Sequence, residues 1–283
     1  MIFMEDGKYS KEIGIVLNEL DNFPLDCKRN FCDNLGSLRI VYDSSFRALG
    51  NYDPALNLIV FRDRGALVHE LFHMAFCNKS FYGKRVYGDF FLENGIALRS
   101  GNYIFGYGLT EGFAEYLSRK CGFSLGRDFE FYFADFLISI YGEDILEYAF
   151  RNDSIGFLND DRFKDIKGVI SRLDELEDLF VSFKFILASF DKGFDLRSEK
   201  FSRFFYDVKE RTGDVIRDLF LSFSSEYKHS KERIMSYDCF VNKIEEFCSC
   251  ENYDIVFRMG FDDLREDVLG FKDDVGFESV NKK

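Results

Sequence analysis

The stretch Ala66–Phe76, ALVHELFHMAF, constrains the fold more than any other part of the chain. Its apolar residues fall on nearly every side of a helix, so a helix here belongs inside a domain and not on its surface. Three ionisable side chains, His69, Glu70 and His73, stand in the middle of that apolar run. Buried polar groups need partners. A fold that accepts this helix must therefore bring compensating groups to one place. His69 and His73 are four residues apart and emerge from the same helical face, while Glu70 is turned about 100° from His69.

The rest of the composition sets outer limits. At 283 residues and 46% hydrophobic content the chain can fill a real core. Its net charge of −13 and pI near 4.8 repel phosphate backbones, and no basic stripe with interleaved aromatics offsets this, so nucleic acid is not an expected partner. Glu5 and Asp6 interrupt the position where a secretory signal would place its apolar run, and no segment has the length of a membrane span. A cytoplasmic location is the expectation. The seven cysteines, Cys27, Cys32, Cys77, Cys121, Cys239, Cys248 and Cys250, are odd in number and scattered. They fit neither a disulfide framework nor a zinc knuckle and read as reduced thiols.

Along the chain, Lys11–Phe23 repeats Ile13, Val16, Leu17 and Leu20 at helical spacing and is stopped by Pro24. SLRIVYD and ALNLIVF read as strands of a small antiparallel sheet, with LGNYDPA between them as a turn. The motif helix is expected from Gly65 to about Asn78. YGDFFLENGIALRSGNYIFGYG follows as a hairpin or flap, its turns marked by Asn94-Gly95 and Ser100-Gly101. A second helix is expected from Thr110, then successive helices over Phe129–Ile140, Asp144–Arg151, Asp165–Ser189, Glu199–Arg211, Val215–His229 and Lys231–Phe247. The fold class this implies is α+β, a small antiparallel or mixed sheet with the motif helix and the second helix, followed by a mainly helical C-terminal half. Its two parts are a core with an N-terminal sheet over residues 1–153 and a helical region over 154–283 that closes the cleft.

The spacing of His69, Glu70 and His73 is the H-E-x-x-H arrangement, in which a helix presents two imidazoles to one zinc ion and the glutamate reaches a water on it. A catalytic zinc needs a third protein ligand, and no other histidine lies within a hundred residues of the motif. A carboxylate must serve. GLTEGFAEYLSRK offers Glu111 and Glu115, four residues apart on one helical face opposite Phe113, Tyr116 and Leu117, with Thr110 placed to cap the helix. Glu111 can ligate while Glu115, one turn on, accepts the outer N–H of a ligating histidine. The same pair also suits a solvated acidic face.

HELFH followed by TEGFAEYL resembles the paired motifs of gluzincin metallopeptidases, the thermolysin and aminopeptidase clan. With GYGLTEG before the second helix and YGEDILEYAFRND after it, the pair is also similar to small bacterial proteins with a zincin-like core. The resemblance covers Leu38 to about Asp153. It implies one catalytic zinc held by His69, His73 and Glu111, Glu70 as general base, and Glu115 behind the ligands. Thr110 departs from the asparagine common in the family. The tyrosine or histidine that steadies the oxyanion in larger members has no fixed counterpart, which leaves Tyr103, Tyr107, Tyr141 and His229 as candidates.

The expected function is zinc-dependent hydrolysis of peptide or amide bonds, with a peptide or protein as substrate. Two other readings stand beside it. One is a zincin fold kept as a binding or structural module. The other is a proteolytic effector exported without an N-terminal signal.

Overall fold

A computed structural model describes residues 8–125 and 128–163, with isolated positions beyond them. The chain divides into two compact units, Met1–Ile170 and Ser171–Lys283. The sequence boundary drawn after Asp153 falls inside the first. The expected helices from Asp165 onward are described only at those isolated positions, and His229 and the three last cysteines lie outside the described residues.

The first unit is mixed α and β. Helix α1, Ser10–Leu20, buries Ile13, Val16 and Leu20 on one stripe and ends before Pro24. A short 3₁₀ turn, Leu25–Lys28, leads into α2, Arg29–Leu35, which the sequence pattern did not announce.

The first sheet holds β1, Arg39–Tyr42, β2, Gly50–Asp53, and β3, Leu58–Phe61, in the order β1-β3-β2. This corrects the expected antiparallel pair. β1 and β3 run parallel, Ile40 beside Ile59, and the supposed turn residues Gly50–Asp53 form a strand antiparallel to β3, Tyr52 beside Ile59. The turn is shorter than the sequence suggested. It closes on Asn57, which adopts φ 47°, where asparagine is among the few tolerated side chains. Asn57 is buried, donates to Asn34 O and Ser37 Oγ, and accepts from Tyr52 Oη.

Helix α3, Arg64–Phe76, is the central element, with every residue from Ala66 to Phe76 buried. It packs against α1, α2, β2 and β3. The flap is a four-stranded antiparallel meander, β4, Arg85–Tyr87, β5, Phe90–Leu92, β6, Leu98–Ser100, and β7, Tyr103–Phe105. Helix α4, Tyr107–Lys120, then lies against α3 and α5, Asp128–Tyr141. Two short helices, α6, Ile145–Arg151, and α7, Ser154–Asn159, follow, with the rings of Phe157 and Phe163 stacked beside them. Among the described residues no helix is long and apolar enough to cross a membrane. Cys27, Cys32, Cys77 and Cys121 are free thiols.

Candidate metal centre

The site is built where α3 crosses α4. Both ends of α3 are tied down: Asp63 accepts from Gly65 N at 2.8 Å at the N-terminus, and Asn34 Nδ2 donates to Met74 O at 3.0 Å and Cys77 O at 2.8 Å at the C-terminus. Some of the terminal groups a helix leaves unsatisfied are thus partnered at each end.

Helix α4 begins three residues earlier than the sequence suggested. Gly106, at φ 78°, precedes its first residue, Tyr107. Thr110 is therefore not the cap. Its Oγ1 donates back to Gly106 O at 2.8 Å inside the first turns, while its methyl packs against the main chain at Gly95. Glycine at position 112, next to Glu111, has a packing reason. A Cβ there would fall 2.3 Å from Glu130 O, so the main chain of α5 presses directly on α4 at that turn.

Three side chains singled out by the motifs meet across this crossing. His69 Nε2 and His73 Nε2 are 3.0 Å apart, and each lies 3.4 Å from Glu111 Oε2. All three residues are buried, and as a group they are able to hold a metal ion. The geometry can be tested against zinc. A tetrahedral ion with ligand distances of about 2.1 Å has ligand–ligand edges of about 3.4 Å, and the triangle here is within a few tenths of that.

The donor chemistry points the same way. His69 Nδ1 faces Glu115 Oε2 at 3.3 Å, off the line of a well-formed hydrogen bond. With the proton on that nitrogen, Nε2 presents a lone pair to His73 and Glu111. Lone pairs crowded at one buried point require a cation or an N–H proton between them. Without a metal, a proton fills that role. Burial pushes the His69 imidazole down, but the contacts with Glu111 and Glu115 and the charge of Glu70 outweigh it and hold it up at about 9.

Glu115 is fully buried and heavily partnered. Its Oε1 accepts from Arg119 Nε at 2.9 Å, Ser124 Oγ at 2.8 Å and Leu125 N at 3.1 Å. Burial alone would raise this carboxyl, yet His69, Arg119 and Ser124 bring it down to about 2. The Arg119 guanidinium in turn sits 4.1 Å over the ring of Phe131, a cation–π placement that keeps its fork aimed inward. Neither Arg119 nor Ser124 carried a motif signal. Arg119 is at i+4 from Glu115, a spacing that sequence alone could have flagged.

Glu70 is buried as well, on the side of α3 that faces β2. When ionised, Glu70, Glu111 and Glu115 place three negative charges in this interior, with Arg119 paired to Glu115. A divalent cation at the His69, His73 and Glu111 group would offset part of that charge.

The remaining candidates are dispersed. Tyr107 opens α4 one turn before Glu111, hence on the same face, and is partly exposed. Tyr103 lies half-exposed in β7. Tyr141 is buried at the end of α5 with its ring edge-on to Phe163 at 4.9 Å. Compared with known proteins, the chain matches no protein-family model, no curated protein and no solved structure.

Proposed function

We propose that this chain is a zinc-dependent hydrolase of peptide or amide bonds built on a zincin-like core. The observation that carries the reading is the buried triangle of His69 Nε2, His73 Nε2 and Glu111 Oε2, with edges of 3.0, 3.4 and 3.4 Å. Two imidazoles and one carboxylate are a donor set suited to zinc with a coordination position left open. Among the described residues the group has three ligands, not the four of a closed structural site.

Zinc, when bound, polarises a carbonyl oxygen and makes nearby water more acidic. The chain's own residues do the rest. Glu70 takes a proton from the attacking water and delivers it to the departing amine, one carboxylate serving first as base and then as acid. Glu115, itself held by Arg119 and Ser124, stands 3.3 Å from His69 Nδ1 and is placed to accept that N–H when the ring ligates the ion. Tyr107, on the Glu111 face of α4, is the tyrosine assigned to the developing oxyanion.

The test is metal analysis of the purified protein followed by digestion of a peptide library with and without chelator. Glu70→Gln should retain the metal and lose turnover by roughly 10²–10⁴-fold. His73→Ala and Glu111→Ala should lose the metal. Equal zinc content in all three variants would refute the assignment.

A further inference from the structure

Gly50 opens β2, an edge strand of the first sheet. Its φ is not in the left-handed region, so the main chain by itself does not demand glycine. The space around it does. A Cβ at this position would lie 2.9 Å from Ala66 Cβ, 2.9 Å from Glu70 Cγ and 3.0 Å from Glu70 Oε1. Ordinary contacts between carbons are about 3.5–4.0 Å. Ala66 and Glu70 are one turn apart on α3, so the strand lies flat against that turn, and the Glu70 side chain occupies the room a Cβ would take.

We propose that Gly50 is a positioning residue for Glu70, its missing Cβ being the space that fixes where the carboxylate sits. The inference rests on the reading of Glu70 as general base. The two neighbours yield differently. Ala66 Cβ is fixed to the helix, whereas the Glu70 side chain can rotate about its own bonds. A methyl group at position 50 therefore turns the Glu70 side chain aside, and against the fixed Ala66 Cβ it also shifts the strand relative to the helix. None of the three atoms nearest such a Cβ belongs to His69, His73 or Glu111.

Two measurements on the full chain test this. The first needs no metal: a thermal double-mutant cycle of Gly50→Ala and Glu70→Ala. Gly50→Ala should lower Tm by roughly 5 °C in the native background and by clearly less beside Glu70→Ala. Equal drops in both backgrounds overturn the contact. Should Gly50→Ala fail to fold, the same cycle run in an Ala66→Gly chain removes the helix clash and leaves the Glu70 contact to be read.

The second measurement separates positioning from packing. Cobalt(II)-loaded protein is titrated with acetohydroxamate, a small chelator whose acidic proton a neighbouring carboxylate accepts, and binding is followed in the visible cobalt bands. Glu70→Gln and Gly50→Ala should both weaken acetohydroxamate by about tenfold or more while cobalt affinity stays native. Native hydroxamate affinity in Gly50→Ala, with the loss seen in Glu70→Gln, overturns the positioning role. If the native chain binds no cobalt, the metal reading fails, and the thermal cycle decides the Gly50–Glu70 contact by itself.

Discussion

Helix α3 and the β4–β7 sheet are consecutive in the chain and opposite in character. From Ala66 to Phe76 every side chain of α3 is buried, whereas the sheet and the loop before it expose Phe81, Val86, Phe91 and Tyr103. Both are rich in phenylalanine. In α3 the aromatic rings hold metal-ligand candidates at fixed positions, while in the sheet they line a surface. Precise geometry is placed on rigid, packed helices, and the adaptable apolar surface on a strand meander beside them.

The largest expected effect tests that contrast directly. Phe72 is fully buried in α3, and Phe72→Ala should cost about 3–5 kcal/mol of stability. Phe91, 39% exposed on β5, should cost about 0.5 kcal/mol on the same change. Denaturant unfolding of both variants measures the difference. Similar losses would mean that the sheet is part of the core and that the contrast is false.

Next in size are the supports of the two regions. Arg119→Ala strands a buried Glu115 carboxylate and should weaken zinc binding about 10- to 100-fold, read by titration calorimetry. Arg119→Lys, which keeps charge but not the guanidinium fork, should fall between. Asn152 supports the flap. It ends α6 at φ 56°, donates to Glu93 O at 2.9 Å and Gly95 O at 2.6 Å, and accepts from Asn78 N at 3.2 Å. Asn152→Ala should cost about 2 kcal/mol and speed amide exchange in the flap while leaving zinc affinity alone. A zinc affinity that falls with Asn152→Ala would show that the flap and the motif helices are not independent.

How far the sequence was readable follows the same divide. HELFH is legible because helical spacing alone puts both imidazoles on one face, and an apolar surround makes burial certain. Glu111 and Glu115 are legible as an i, i+4 acidic pair. Strand β2 is not, because Gly50, Asn51 and Asp53 favour turns. Pairing with β3 and packing on α3 impose the strand from outside, a tertiary effect that overrides local preference. The start of α4 misleads for a related reason: Gly106 and Gly108 look like loop, and Thr110 looks like a cap, yet its hydroxyl turns back to Gly106 O. The partnership of Ser124 with Glu115 has no local signature, since Ser124 lies in the loop beyond α4 and only the folded chain closes that distance.

The smallest effect concerns the far end of the unit, where α7 meets the preceding helices. Asp160 accepts from Tyr148 Oη at 2.6 Å and from Arg162, which also reaches Asp144. Burial pushes the Asp160 carboxyl up, but Arg162 and Tyr148 outweigh it and hold it at about 2 against an ordinary 3.8. A carboxyl lowered in the folded state stabilises the fold above its unfolded value, and the gain is lost as pH falls from about 4 through about 2. The Arg162 side chain is 44% exposed, so solvent screening keeps the effect small and salt-sensitive. Asp160→Asn should therefore flatten the acid limb of the stability curve between about pH 4 and 2 and leave zinc uptake at neutral pH untouched. An acid limb identical to that of the native chain would mean that this ion pair contributes nothing to holding α7. The acid sensitivity of the unit would then have to come from the buried carboxylates around His69.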